Sequence, residues 1–476
     1  MDLIDFGAIQ STDKQDKCMD WIPTLADRDG PVYRRIVEAL AADIASGRLR
    51  RGQQLPTHRS LATALRIDLT TVTRAYAEAR RLGLTEARVG QGTFVAESLS
   101  HPRHADAPRP RFDLSMNLPP QPMEADLEGR LTRGIAAIQR EVGFSAHLNY
   151  REPGGNAAER AIAAGWLRSR IADAHGDRMV ICPGSQNALF NFLAAFTTPG
   201  NVVLTESLTY PGIKAAAAYT GVRLVGVPMD ENGIIPDELD SACRQHAPRA
   251  VYLIPTIHNP TTATMPLSRR KEVAEILRRH EVLLFEDDAY GQLEPNAVPL
   301  ASLVPERTYF AASLSKCIAP GLRVSLLLTP DQASAEVLVS ALRASVQMPA
   351  FLMVALVTRW LQDGSAEAII GAILNEASAR QKLAANVLVQ HAYSRHPNGH
   401  HIWVPLPRNW GKTEFASHVQ RQGLAIVTAE SFSVGESQPN AIRVSLGAAS
   451  SRAELVRALE ILAAALKSSA ARARVV

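Results

Sequence analysis

The amino-acid sequence predicts an α/β protein with a mostly parallel central sheet, preceded by a small basic winged helix-turn-helix. Three observations carry this reading. Two apolar runs, Ala250 to Ile254 and Val282 to Phe285, stop abruptly at polar residues, as buried parallel strands do where their C-terminal ends open into a site. The segment from Pro31 to Ala96 holds eleven arginines, no lysine and five acids (Glu38, Asp43, Asp68, Glu78, Glu86). It is formally +6 against +4 for the whole chain, so the remainder is near −2. Between the two parts, Ser98 to Arg111 is proline-rich, basic and without apolar periodicity, which marks a linker. With 476 residues there is room for a small domain and a large one with a sizeable core. The expected organisation is an N-terminal extension (1–30), a small basic domain (31–97), the linker (98–111) and a large domain (112–476).

Taken in order, Val32 to Ser46 has helical spacing at Val32, Ile36, Ala39, Leu40 and Ile44, and Gly47-Arg48-Leu49 stops it. Leu55-Pro56-Thr57-His58-Arg59 leads into a short helix, Ser60 to Leu65. A turn at Arg66 to Leu69 precedes a second helix, Thr70 to Leu82, ended by Gly83. Two short helices across a tight turn can place the second in the DNA major groove. Leu84 to Val95, with Gly90-Gln91-Gly92 at its middle, reads as a β-hairpin wing whose tip lets backbone approach DNA. Charge alone would equally describe a solvated basic helix face. Charge and helix pattern together point to double-stranded DNA, with Arg59, Thr70, Thr71, Thr73, Arg74 and Gly92 as candidate contacts.

The large domain carries a second set of signals. Lys316 lies in Ser313-Leu314-Ser315-Lys316, with Arg323 shortly after it. A lysine that bonds an aldehyde needs a lowered pKa, because only the neutral amine is nucleophilic. Nearby serines and an arginine can hold a phosphate. Val282 to Tyr290 puts Asp287 at a strand end, where a carboxylate can hold a protonated pyridine nitrogen or simply cap a helix. Tyr290 and Asn259 can each reach a ring oxygen, though Asn259-Pro260 is also an ordinary turn signal. Val180 to Leu189 switches from strand to helix through Pro183-Gly184-Ser185, either a phosphate cup or a plain N-cap. Tyr210 offers a ring for stacking or for packing, and Arg443 inside a strand-like stretch needs an anionic partner.

From about Phe112 onward these motifs resemble the fold-type I aminotransferases that use pyridoxal 5′-phosphate (PLP). The resemblance rests on Tyr150 with Gly154, Gly184-Ser185-Gln186, Tyr210, Asn259-Pro260-Thr261, Asp287 with Tyr290, Ser313, Ser315-Lys316, Arg323 and Arg443. It implies a large domain with a mostly parallel sheet and a smaller C-terminal α+β part. It also implies that Lys316 forms the Schiff base with PLP, Asp287 pairs with the pyridinium, and Asn259 and Tyr290 hold the ring oxygen. Tyr210 would stack on the ring, and Ser185, Gln186, Ser313, Ser315 and Arg323 would hold the phosphate. Arg443 would take a ligand carboxylate, with a buried structural salt bridge as the alternative. Tyr150 would reach the partner subunit's phosphate, which implies a homodimer. Thr262 departs from the family, which usually has glycine there, and so puts the local turn in doubt.

The N-terminal part resembles the winged helix-turn-helix of GntR-type transcription factors, through Leu55-Pro56, Arg59, Thr71-Val72, Ala75-Tyr76, Gly83 and Gly90-Gln91-Gly92-Thr93-Phe94-Val95. Asp68-Leu69 stands where that family commonly has Ser-Arg, so one expected DNA-contacting arginine is missing. Both parts in this order resemble the MocR subgroup. That implies a PLP-dependent regulator that senses PLP itself, a small amino compound that displaces Lys316 by Schiff-base exchange, or both. A working aminotransferase with an attached DNA-binding domain is the alternative, since every residue needed for turnover is present.

The four cysteines (Cys18, Cys182, Cys243, Cys317) are scattered and lack metal-ligand spacing, which suits a reducing cytosol. Cys317, beside the lysine, reads as a small buried hydrophobe, and His400-His401 as core or surface rather than metal ligands. Neither a signal peptide nor an apolar stretch long enough to span a bilayer is present, so a cytoplasmic location without a membrane partner is expected.

Overall fold

The computed structural model describes residues 21–25, 31–50, 52–81, 84–88, 92–96, 110–435 and 438–468. The chain divides into two units at the boundary between residues 109 and 110.

The first unit holds α1 (Val32–Ala45), α2 (His58–Leu65), α3 (Leu69–Arg81) and a two-stranded wing, β1 (Thr85–Arg88) with β2 (Gly92–Val95). The stripe expected on the first helix is buried at Ile36 and Leu40, which pack with Leu49, Leu55, Leu61, Val72, Ala75, Tyr76 and Val95. Both later helices begin slightly earlier than the sequence pattern suggests, because side chains just ahead of them satisfy free N–H groups. Thr57 Oγ1 accepts from the Ser60 amide at 3.2 Å, so α2 starts at His58. Asp68 Oδ1 accepts from the Thr70 amide at 2.7 Å, so α3 starts at Leu69. Arg66 closes α2 in the left-handed conformation, φ 54°. The wing is antiparallel, Thr85 opposite Val95 and Arg88 opposite Gly92. The expected helix end at Leu82-Gly83 and the wing tip at Gly90-Gln91 lie outside the described residues, as does Cys18.

The second unit opens with β3 (Phe112–Asp113), α4 (Leu127–Glu141) and α5 (Ala157–Leu167). Strands and helices then alternate: β4 (Met179–Cys182), α6 (Ser185–Phe196), β5 (Val202–Glu206), α7 (Pro211–Thr220) and β6 (Arg223–Val227). A small hairpin, β7 (Met229–Asp230) and β8 (Gly233–Ile234), leads to α8 (Pro236–His246), β9 (Ala250–Leu253) and α9 (Leu267–Arg279). The strands β10 (Leu283–Asp287), β11 (Thr308–Ser313) and β12 (Ser325–Leu328) follow, then α10 (Gln332–Val346), α11 (Phe351–Gln362) and α12 (Ser365–Val387). The C-terminal part adds β13 (Ser394–Arg395), β14 (His401–Pro405), α13 (Lys412–Arg421), β15 (Leu424–Ala425), β16 (Val427–Thr428), β17 (Ala441–Ser445) and α14 (Arg452–Lys467).

The central sheet has seven strands in the order β4-β12-β11-β10-β9-β5-β6, with β12 antiparallel to both neighbours and the rest running one way. Both faces are covered, which is why the strands read as continuous apolar runs. Along β11, Tyr309 and Ala311 enter one core while Phe310 and Ala312 enter the other. The smaller α+β part is an antiparallel sheet, β13-β14-β17-β16, backed by α12, α13 and α14. Two-residue pairing of β3 with β15 fastens the start of the unit to this part. Among the described residues no helix is long and apolar enough to cross a membrane.

Candidate functional site

In a parallel sheet every strand ends on the same edge, and polar residues just past those ends face one crevice. Here that crevice is a cavity of about 440 Å³. Residues after β4 (Ser185, Gln186), β5 (Tyr210), β9 (Asn259) and β10 (Tyr290) line it, together with Asp287, the last residue of β10. Ser313 at the end of β11, Ser315, Lys316 and Arg323 between β11 and β12, and Arg443 on β17 complete the expected set. Of the large-domain residues expected at the site, only Tyr150 is elsewhere: it is 81% exposed and off the cavity wall.

Burial, reinforced by the Arg443 charge and opposed by Asp287, brings the Lys316 ammonium down to a pKa of about 8. Its Nζ donates to the carbonyl of Asn117. Asp287 is buried, and burial pushes its carboxyl up to about 6, even though the Tyr252 hydroxyl and Lys316 both favour the ionised form. Tyr252 donates to Asp287 Oδ2 at 2.7 Å, while Oδ1 is buried without a partner among the described residues. The neighbouring acids face the other way, since successive residues at a strand end alternate. Glu286 accepts from the amides of Leu300 and Ala301 at 2.9 and 2.8 Å. Asp288 is gripped by Arg170 through two bonds of 3.2 Å.

One end of the cavity is built around the start of α6. Gly184, φ 86°, precedes the helix, and Ser185 is its first residue rather than its N-cap. Ser185 Oγ meets Ser325 Oγ at 3.1 Å. A Cβ on Gly184 would lie 2.4 Å from Arg323 Nη2, so only glycine lets this guanidinium come against the turn. Arg323 is otherwise bonded to the Pro183 carbonyl at 3.1 Å.

Arg443 is 6% exposed and lies over the Phe432 ring. It donates to Asn259 Oδ1 at 2.9 Å and to the Ser115 carbonyl, and its Nε has no partner. Among the described residues no carboxylate pairs with it, so the structural salt bridge held open by the sequence is not formed among them. The Asn259 turn is closed by the Thr262 amide donating to the His258 carbonyl at 2.7 Å. Thr262 takes φ 67°, the left-handed conformation for which the usual glycine is suited, so the turn survives the substitution.

His400 and His401 are buried and held neutral, His400 near a pKa of 4, and bond backbone carbonyls. Cys317 is fully buried and its thiol is pushed up to about 12. In the first unit, Arg59, Thr70, Thr73, Arg74 and Gly92 are exposed and Thr71 is half-buried. The Arg74 guanidinium stacks on the Tyr33 ring at 4.1 Å. Two site residues were not signalled by any motif: Asn117, in the strand-free stretch after β3, and Tyr252, an apolar-looking member of β9.

Residues 112–462 match the family described as aminotransferase class I and II. The chain belongs to that family. Residues 32–95 match the gntR family of bacterial regulatory proteins, so a GntR helix-turn-helix precedes the aminotransferase domain, the arrangement expected of a MocR-type regulator. The chain is similar to the uncharacterized HTH-type transcriptional regulator YdeF of Bacillus subtilis, 29% identical over 93% of this chain and 96% of that one. It is 28% identical to the vitamin B6 salvage pathway transcriptional repressor PtsJ of Salmonella typhimurium, over 85% of this chain and 92% of the repressor. Among solved structures it resembles LysN, an α-aminoadipate aminotransferase from Thermus thermophilus complexed with N-(5′-phosphopyridoxyl)-L-leucine. That likeness has 27% identity and a TM-score of 0.68, covering 75% of this chain and 92% of LysN.

Proposed function

We propose that this protein is a DNA-binding transcriptional regulator whose aminotransferase-like domain holds PLP and senses a small amino compound. The observation that carries it is one cavity, in a chain with a GntR reader, that combines a depressed lysine, a half-partnered buried carboxylate and a buried arginine that pairs with no carboxylate among the described residues.

The residues fit PLP. Asp287 Oδ1 offers a desolvated acceptor for a ring N–H. Arg323, the start of α6 and the hydroxyls of Ser185, Ser313 and Ser315 suit a phosphate, and Tyr210 supplies an aromatic face. When bound, PLP supplies an aldehyde open to amines and a ring that takes up electrons. Lys316 provides the amine: with a pKa of about 8, roughly one-fifth of it is neutral at pH 7.4, against under about one part in a thousand for an ordinary lysine. Arg443 orients a ligand carboxylate. The stretch from Asp113 to Leu118 follows the linker, and its carbonyls at Ser115 and Asn117 hold Arg443 and Lys316. A ligand that engages either side chain competes with those bonds, which supports a route from cavity to linker. The exposure of Tyr150 supports a homodimer in which it serves the partner's cavity.

The test is binding to the DNA upstream of the protein's own gene, against a scrambled duplex, with and without PLP and a panel of amino acids at near-physiological salt. Preference for its own region, shifted by PLP or an amine, is expected; no preference would overturn the regulator reading. The lowered Lys316 also suits a general base, which favours a working aminotransferase as the second reading. Fast, complete single-turnover release of keto acid would establish that reading and sink a pure sensor.

A further inference from the structure

Tyr290 lines the cavity, and its ring is near those of His400 and His401, with centroids 6.0 and 5.9 Å away. Where its hydroxyl proton points follows from counting donors around it.

Burial holds His401 neutral, far below the ordinary histidine range. A neutral imidazole has one N–H. His401 Nε2 faces the His258 carbonyl oxygen at 3.1 Å, and a carbonyl only accepts, so the N–H is there and Nδ1 is a lone pair. The Asn117 amide lies 3.2 Å from that Nδ1, and the atom facing a lone pair must donate. The amide therefore presents its NH₂, and its oxygen is left buried without a partner. The same nitrogen is 2.6 Å from the Tyr290 hydroxyl. One amide proton goes to His401 and the other to Tyr290, which accepts it and keeps its own proton free to donate elsewhere.

We propose that Asn117 is a positioning residue that sets the direction of the Tyr290 O–H, so that Tyr290 accepts from Asn117 and donates into the cavity, toward an anionic ring oxygen of the cofactor. The relay runs from the His258 carbonyl through His401 and Asn117 to Tyr290. The other groups around this hydroxyl are Arg443, Asp287 and Tyr210, with His400 neutral beside it. The ring-oxygen half of this inference rests on the PLP reading; the proton direction in the cofactor-free protein does not.

Two measurements test it. In cofactor-free protein carrying nitrogen-15 histidine, His401 is expected as the Nε2–H form. Asn117→Asp sets an acceptor against its lone pair, and a proton is expected to move onto Nδ1. A wild-type His401 protonated at Nδ1, or a spectrum unmoved by Asn117→Asp, overturns the proposal. With PLP bound, the pH midpoint of the visible absorbance is read. A donor to the ring oxygen favours its anionic form, and Asn117→Asp draws the Tyr290 proton away from it. The midpoint should rise by about one pH unit, the worth of one hydrogen bond to a charged group. Tyr290→Phe should match it, and the double variant should add nothing. If Asn117→Asp does not fold, Asn117→Ala is read in the same way and should move the midpoint less. An unmoved midpoint beside a shifted Tyr290→Phe overturns the proposal. Absence of any PLP band in the wild type would defeat the cofactor reading, and the histidine spectrum alone would then decide.

Discussion

Asp287→Asn should make the cofactor-free protein more stable while it removes cofactor binding. Burial raises the Asp287 carboxyl from about 4 when unfolded to about 6 when folded. An acid whose folded pKa is raised binds its proton more tightly in the folded state. Its contribution to stability is therefore favourable at low pH and is lost as pH rises from the unfolded pKa to the folded one. A shift of about two units corresponds to about 3 kcal/mol above pH 6. At pH 5 roughly half of that penalty applies. Asparagine keeps the shape, can still accept from Tyr252, and carries no charge to desolvate. The variant should thus gain about 3 kcal/mol near pH 7.5 and about half as much near pH 5. Urea unfolding of the cofactor-free protein, followed at both pH values, reads the difference, and PLP titration of the same samples reads the loss of binding. A variant less stable than wild type at pH 7.5, or a gain that does not shrink toward pH 5, would refute the assignment of Asp287 as a desolvated carboxylate waiting for a positive partner.

Other expectations are shorter. Lys316→Ala should abolish the visible absorbance given by PLP while basal DNA binding persists in a gel-shift assay. Arg443→Lys should weaken amino-acid binding by about 2 kcal/mol, roughly thirtyfold, because a lysine cannot reproduce the guanidinium fork, and PLP affinity should change far less. Asp288→Ala leaves Arg170 buried without its carboxylate and should cost about 3–5 kcal/mol in urea unfolding. Arg74→Ala should lower affinity for operator and scrambled DNA alike and reduce the salt slope by about one, as loss of a phosphate contact does.

How far the site could be read in advance differs from residue to residue. Lys316, Arg323, Asn259 and Asp287 sit in short local runs, and such runs keep their meaning wherever the strands carry them. Asp287 was singled out from Glu286 and Asp288 by its place at the strand end and by the family resemblance, and strand alternation puts it on the cavity side. Ser185 had two readings, and Gly184 at positive φ removes one of them, the N-cap, by taking the position before the helix. Tyr252 and Asn117 left no trace. The first lies 35 residues from the carboxylate it bonds, and the second lies 173 residues from Tyr290. The helix starts of the DNA reader were displaced by one or two residues, because side-chain caps at Thr57 and Asp68 are local chemistry that apolar spacing does not report.

By itself the sequence determined the layers and the inventory. Apolar runs with both faces buried specify a covered parallel sheet, their polar ends specify where a site must lie, and two short helices with a wing specify the reader. The tertiary structure alone decided the chemistry of that inventory. Desolvation of Lys316 and Asp287, the isolation of Arg443 from any carboxylate among the described residues, and the Asn117 bond to Tyr290 are set by distant segments meeting in one cavity. Burial and long-range pairing are properties of the packed chain, and no local window of residues carries them.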